Sequence, residues 1–370
     1  MVNFGVEYPP TEVWTKIEED FIAAAAVLPN TQSEPGRPTK WAAKSYLAKT
    51  YLYQKKWSLA NTAIDEVIGS GAYSLEPNFN EVFLPENDNG SEVVFSIQYS
   101  INDGGQNGYN GSIGDRLMPP GGPRYPAYGF LKPTQNLVNF HKTDVGGLPA
   151  LSNADLTGAD TVDPRLDITI GRPGIPYKDL EILYEASWAR DVATYGPYAP
   201  KKRVISANHP EYLPFWPYVT SANYLVIRYA DVLLWKAEAS IELGNLDDGR
   251  TYINLVRNRA KTGNYIKDLT GTADAGNYLI ETYNTPFSDY PEAITALRAE
   301  RRIEMAHEGH RFFDLVRWGI AADVINSYIS KEKDARGYLV SAAFIAGKHE
   351  YMPIPQSQID AGKSTQNPGY

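Results

Sequence analysis

Residues 39–54 read Thr39-Lys-Trp-Ala-Ala-Lys-Ser-Tyr-Leu-Ala-Lys-Thr-Tyr-Leu-Tyr-Gln54, and residues 58–71 read Ser58-Leu-Ala-Asn-Thr-Ala-Ile-Asp-Glu-Val-Ile-Gly-Ser-Gly71. In the first stretch Ala43, Leu47 and Tyr51 recur at steps of four with Ala48 and Leu52 beside them. That is one face of an α-helix, which Thr39 is placed to cap. Lys55-Lys56-Trp57 makes a turn, and Ser58 is expected to cap a second helix whose stripe is Leu59/Ala60, Ala63/Ile64 and Val67/Ile68. Gly69 and Gly71 stand where a left-handed residue closes a helix. Small alanines beside large aromatics let two antiparallel helices approach closely, which is the form of a tetratricopeptide-type hairpin.

A second hairpin of this form is expected from about Asn223 to Lys261. Ala230, Leu233/Leu234 and Ala237 lie on its first helix, Gly244-Asn245 at its turn, and Leu246, Tyr252/Ile253 and Val256 on its return. A third helical block is predicted from Pro291 to Ile329, with Ala299, Ile303, Ala306, His310 and Phe313 sharing one buried face. The chain is therefore read as mainly α, a scaffold of tetratricopeptide-like hairpins interrupted by a long irregular insertion with short strands. Its organisation is 1–71 (N-terminal helices and first hairpin), 72–222 (irregular ligand-binding region) and 223–370 (C-terminal helical repeats and terminal segment), forming one compact unit.

Composition narrows the function. The 370 residues are 43% apolar and 21% charged, against both disorder and a membrane-embedded bundle. With 35 basic against 44 acidic side chains the net charge is -9, the wrong sign for a nucleic-acid partner. Cysteine is absent, which excludes disulfides and thiolate chemistry within these residues. The opening Met1-Val-Asn-Phe-Gly carries neither export signal nor lipobox.

Residues 71–220 hold 16 of the 30 glycines and 16 of the 26 prolines, so regular helix is not expected there. Glu92–Tyr99 is the clearest strand signal. Tyr184, Trp188, Tyr195, Tyr198, Tyr212, Phe215, Trp216, Tyr218 and Tyr224 crowd the end of the region. A looser set, Tyr99, Tyr109, Tyr125, Tyr128 and Phe130, is interleaved with Asn107, Asn110 and Arg124. Aromatic faces beside amide and guanidinium donors suit sugars, whose C–H faces stack while their hydroxyls hydrogen-bond. The competing reading is that these rings fill a core that short loops cannot otherwise build.

Catalytic constellations are weak. Glu304-x-x-His307 has the spacing of a carboxylate-bridged di-iron site, but the second such pair is missing and the neighbouring arginines favour internal ion pairs. Carboxylates such as Asp163, Asp167, Asp179, Glu181, Glu185 and Asp191 could serve a glycosidase only across a cleft. Glu86-Asn-Asp88-Asn-Gly90-Ser-Glu92 resembles a fragment of a calcium loop and reads as a turn. No phosphate loop, dinucleotide fingerprint or nucleophile elbow is present, and no catalytic residue, metal or cofactor is expected.

Four further motifs resemble those of one family. They are Arg228-Tyr-Ala-Asp231…Glu238 with Ile253-Asn254-Leu-Val-Arg257-Asn-Arg259; Glu300-Arg301-Arg302-Ile-Glu304 with Glu308-Gly309-His-Arg311-Phe-Phe-Asp314-Leu-Val-Arg317-Trp318; Tyr351-Met-Pro353-Ile-Pro355; and Gln366-Asn-Pro368-Gly-Tyr370. In this order they resemble the SusD/RagB-like outer-membrane nutrient-binding lipoproteins, and Gly71-Ala-Tyr73-Ser-Leu after the first hairpin adds to the likeness. The motif residues themselves read as structural: Arg228 with Asp231 and Arg311 with Asp314 can pair locally, and Glu300, Glu304 and Glu308 can meet arginines of neighbouring helices.

The resemblance implies a surface-exposed lipoprotein of the outer membrane of Bacteroidota, binding oligosaccharides without cleaving them and delivering them to a SusC-like TonB-dependent transporter. It implies a signal peptide, a lipidated cysteine and a first repeat upstream of Met1, contributing part of the ligand surface and the transporter contact. The membrane would be met only through that lipid. The ligand site is expected on insertion loops, with Tyr109, Tyr125, Tyr128, Trp188, Tyr195 and Trp216 as platforms and Asn107, Asn110 and Arg124 as polar partners. The alternative is a peptide- or protein-binding scaffold that touches no glycan.

Overall fold

The computed structural model describes residues 10–101, 103–104, 110–112, 114, 117–122, 124–125, 127–213, 219–362 and 365–370. Helix α1 (Pro10–Val27) lies against α2 (Lys40–Tyr53), where the Phe21 and Tyr46 rings stack 5.1 Å apart. The Thr39 hydroxyl accepts the Ala42 amide at 3.2 Å and caps α2 as expected. Helix α3 (Trp57–Gly69) begins one residue before the expected Ser58 cap, because Lys55 takes φ 58° and reverses the chain at once. Gly71, at φ 65°, lets the chain leave α3.

The insertion holds β1 (Val93–Ile97), α4 (Gln135–Phe140), α5 (Arg165–Thr169), β2 (Ile170–Gly171), α6 (Val192–Tyr195) and β3 (Ala199–Pro200); β4 (Tyr224–Arg228) follows it. Strand β1 pairs antiparallel with β4, and β2 with β3. Then come α7 (Tyr229–Glu242), α8 (Leu246–Thr262), α9 (Tyr290–Glu304), α10 (Arg311–Arg317), α11 (Ala321–Glu332) and α12 (Gln356–Ala361). The protein is mainly helical. Gly244, at φ 84°, turns α7 into α8.

Helix α7 is the centre of the scaffold. Its residues from Ala230 to Ile241 are all buried, because one side meets α2 and α3 while the other meets α8 and α9. The third block is not one helix. Helix α9 stops at Glu304, and His307 (φ 63°) and Gly309 (φ 87°) turn the chain before α10. The expected continuous face therefore breaks: Ala299, Ile303 and Ala306 are buried, while Phe313 is 56% exposed.

A buried ion-pair cluster locks the insertion onto this scaffold. Arg228 reaches Glu92 at 2.8 Å, Glu304 at 2.6 Å and Glu308 at 2.8 Å. Arg165 of α5 reaches Asp163, Glu300 and Glu304 at 2.6–2.8 Å. Arg257 binds Glu300 at 2.8 Å, Arg259 binds Glu92 at 3.0 Å and also Glu304, and Lys202 binds Glu308 at 2.5 Å. The five cations Arg165, Lys202, Arg228, Arg257 and Arg259 thus balance the five acids Glu92, Asp163, Glu300, Glu304 and Glu308. The expected local pairs do not form. Asp231 meets Arg301 at 2.7 Å instead of Arg228, and Asp314 meets Arg301 and Arg317 instead of Arg311. Cross-element partners win because they let each desolvated charge find several opposite ones.

This cluster predicts acid sensitivity. Burial alone would raise the Glu308 carboxyl from its ordinary 4.5, but Arg228 and Lys202 together outweigh it and hold it down to about 2; Glu304 is held lower still by Arg259, Arg228 and Arg165. A depressed carboxyl stabilises the fold above its unfolded pKa, and that contribution is lost as pH falls through the folded one. The urea midpoint is expected to hold above about pH 5 and to fall between pH 4.5 and 2. Glu308 alone accounts for about 3 kcal/mol of that loss. A midpoint flat from pH 5 to 2.5 would contradict this.

Candidate glycan-binding cleft

Three segments converge on an open cleft of about 470 Å³: the loop 129–134, the segment 190–195 around α6, and the end of α11 with Arg336 and Tyr338. That volume falls in the range of small-molecule sites. Phe130 (48% exposed), Tyr195 (48%) and Tyr338 (49%) offer half-open aromatic faces. The Tyr195 and Tyr338 rings lie 5.4 Å apart and tilted by 46°, so they form two adjoining walls.

Polar groups sit among the rings. The Lys132 ammonium lies 5.7 Å from the Tyr195 centroid, and the Arg190 guanidinium 5.3 Å from that of Phe130. Lys132 donates to the Arg190 carbonyl and so ties the two loops together. Burial lowers the Lys132 pKa, with Asp191 opposing the shift. Glu332, 6% exposed, accepts the Asn136 amide at 2.9 Å, and burial raises its pKa. Burial, with the Tyr338 hydroxyl alongside, pushes the Tyr328 phenol upward.

The backbone here is held in an uncommon form. Leu131 (φ 56°) and Asp191 (φ 48°) both occupy the left-handed region, which costs a non-glycine residue about 1–3 kcal/mol. Such strain persists only where surrounding bonds fix it. The Phe130 amide donates to Leu117 at 2.7 Å, the Gly129 amide to Pro119 at 3.1 Å, and the Asp191 carboxylate accepts the Thr194 amide at 3.2 Å. At Gly196, φ 87°, an added Cβ would lie 2.5 Å from an Arg336 Nη atom, so glycine keeps that cation at the cleft wall.

Of the residues expected from sequence, Tyr195 lines the cleft, and Tyr128, 38% exposed, borders it with its ring 6.3 Å from Phe130. Tyr125 and Trp188 do not present faces to a ligand: at 1% and 7% exposure they belong to an aromatic core with Tyr177, Tyr184 and Tyr212. With little helix or sheet around them, the insertion loops use these rings as their own core. The Tyr125 hydroxyl donates to Ile205 at 3.0 Å, and a Cβ at Gly122 would lie 2.6 Å from the Trp188 ring. Asn110 donates to Asp103 at 2.6 Å within its loop, and exposed Arg124 donates to Asn208; neither lines the cleft. Tyr109, Trp216 and Asn107 lie outside the described residues. Trp188→Phe is therefore expected to cost about 1–2 kcal/mol of stability while changing oligosaccharide affinity less than about twofold, by urea titration and calorimetry. An affinity loss above tenfold at unchanged stability would return Trp188 to the site.

Sequence reasoning missed Tyr328, Glu332, Arg336 and Tyr338. They belong to the C-terminal segment, whose periodicity marks a packed helix and says nothing of what its end faces. Among the described residues no cluster of His, Asp or Glu is arranged to hold a metal. Glu304 is committed to three arginines, and burial depresses the neighbouring His307 to about 4.

A model described as the SusD family matches residues 91–370. The chain belongs to the SusD family. Among curated SusD-family relatives, a SusD-like protein of Formosa agariphila is 27% identical over 345 residues, covering 90% of this chain and 58% of that protein. The starch-binding protein SusD of Bacteroides thetaiotaomicron is 26% identical over 401 residues, covering 100% of this chain and 67% of that protein. A SusD superfamily protein from Bacteroides vulgatus superposes with TM-score 0.72 at 23% identity over 97% of this chain and 68% of its own. A laminarin binding SusD-like protein superposes with TM-score 0.65 at 26% identity, over 99% of this chain and 70% of its own. This SusD-family chain spans 58% and 53% of the length of two Formosa agariphila relatives. Among its described residues no helix is long and apolar enough to cross a membrane.

Proposed function

We propose that this chain captures oligosaccharides in the 129–134/190–195/α11 cleft without cleaving them, as part of a surface-exposed outer-membrane lipoprotein that passes them to a SusC-like TonB-dependent transporter. The observation that carries the reading is the pair of half-exposed Tyr195 and Tyr338 walls beside Lys132, Asp191, Glu332 and Arg336. Pyranose C–H faces stack on such rings while hydroxyls meet the charged groups. The names of the starch-binding and laminarin-binding relatives point the same way. Binding without hydrolysis fits the two cleft carboxyls, since Asp191 caps α6 and Glu332 holds the Asn136 amide.

Calorimetric titration with malto- and laminari-oligosaccharides, beside peptides of similar mass, tests this. Heat with at least one sugar, none with peptides, and no new reducing ends after prolonged incubation are the expected results. Heat with peptides alone would favour a protein-binding scaffold instead. The transporter step is checked separately, by co-purification with a SusC-like partner.

A further inference from the structure

The buried arginines Arg165, Arg228, Arg257, Arg259 and Arg301 each meet a carboxylate. Arg302 and Arg311, both partly buried, are not paired in this way. Among the described residues neither forms an ion pair: Arg302 donates to the neutral Asn136 amide oxygen and stacks 3.9 Å over the Phe140 ring, and Arg311 has no hydrogen-bonding partner. Both line a cavity of about 280 Å³ between α4, α9, α10 and α11. His307 lines it too, with a buried Nε2 that has no partner. Asp314 lines the same cavity and draws on Arg311 through its charge, but its oxygens are bonded to Arg301 and Arg317; Asp323 is exposed on the outer rim. Desolvation, and for Arg302 the charge of Arg311, push these guanidinium pKa values down to about 9 and about 10. Arg298, partly buried too, forms no ion pair among the described residues and stacks 5.1 Å from the Trp318 ring, whereas at Arg302 and Arg311 two guanidinium groups and an open imidazole face one hollow.

This cavity adjoins the aromatic cleft. Tyr328 and Thr134 line both, and a further hollow lined by Asn136, Phe140, Arg302 and Tyr328 lies beside the cavity along α11 and meets the cleft at Tyr328. From Glu332 to Val324 the path follows about two helical turns, roughly 12 Å at 1.5 Å per residue. Resting on the cleft reading above, we infer that the ligand is an acidic oligosaccharide, with sugar rings on Tyr195 and Tyr338 and a carboxylate or sulfate group received by Arg302 and Arg311. Guanidinium groups bind such planar or tetrahedral oxyanions through paired N–H donors, and a desolvated cation gains most from doing so.

The test is calorimetry at fixed ionic strength with neutral laminaritetraose, tetragalacturonate, a sulfated carrageenan tetrasaccharide and sodium sulfate alone. The measurements are repeated with Arg302→Gln and Arg311→Gln. At least one acidic tetrasaccharide is expected to bind about tenfold or more tightly than laminaritetraose. Each substitution should erase most of that gain, leave laminaritetraose unchanged, and keep or raise Tm, because it removes an unpaired desolvated charge. A gain confined to the uronate or to the sulfate supports the proposal and identifies the acid. Equal affinities for neutral and acidic tetrasaccharides overturn it while the cleft reading stands. Absence of binding by every sugar overturns both. Sodium sulfate binding as tightly as the sulfated sugar overturns it in favour of an ion cavity, and a large fall in Tm with the acidic preference intact makes the arginines structural.

Discussion

Replacing Glu304 with Gln is expected to destabilise the protein by roughly 3–5 kcal/mol, the cost of breaking a buried ion pair from one side. Glu304 is fully buried and receives Arg165 at 2.8 Å, Arg228 at 2.6 Å and Arg259. Gln keeps the shape and one acceptor, so the packing survives while the charge balance does not. One uncompensated positive charge then sits among α5, β4, α8 and α9, where water cannot relieve it. The cluster joins residues far apart in the chain, and the bonds of Arg165 to Glu300 and Glu304, of Glu92 to Arg228 and Arg259, and of Lys202 to Glu308 dock the insertion on the rest of the fold. The loss should appear as a lower urea midpoint and a smaller acid-dependent part of the stability, with the share of Glu308 remaining. A change below about 1 kcal/mol would mean the cluster does not hold the insertion in place.

The second large effect concerns binding. Tyr195→Ala with Tyr338→Ala is expected to weaken the tightest-binding oligosaccharide by about 30-fold to 1,000-fold, that is roughly 2–4 kcal/mol for two stacking walls. Each ring is about half exposed, 48% and 49%, so its removal takes little from the core. Stability should move by no more than about 0.5 kcal/mol. That contrast separates these rings from Trp188, whose loss falls on stability. Calorimetry paired with thermal unfolding reads both quantities, and unchanged affinity in the double variant would remove the cleft from the account.

The scaffold was legible because its signals are local. Ala43, Leu47 and Tyr51 share a face within one helix, Thr39 caps it three residues from its partner, and Gly71 and Gly244 end helices where a left-handed residue is needed. The break after Glu304 was not legible, since His307 takes a positive φ that its residue type does not announce. The ion cluster was legible only in kind. Arginines and glutamates in the motifs implied internal pairing, but Arg228 finds Glu92 across 136 positions and passes over Asp231 three residues away. The cleft was half legible for the same reason. Tyr195 and Phe130 stood out as insertion aromatics, whereas Tyr338 and Arg336 reach the cleft only through the packing of α11. Tyr125 and Trp188 carry the same composition signal as Tyr195 but are consumed by the insertion's own core, a distinction set by three-dimensional burial alone.

The most direct test of glycan capture is a crystal structure of the chain with the oligosaccharide that binds most tightly by calorimetry. The expected result is an intact, uncleaved sugar with a ring stacked on Tyr195 or Tyr338 and hydroxyls within hydrogen-bond reach of Lys132, Asp191 or Arg336. An oligosaccharide bound elsewhere, with this cleft open and its rings bare, would contradict it.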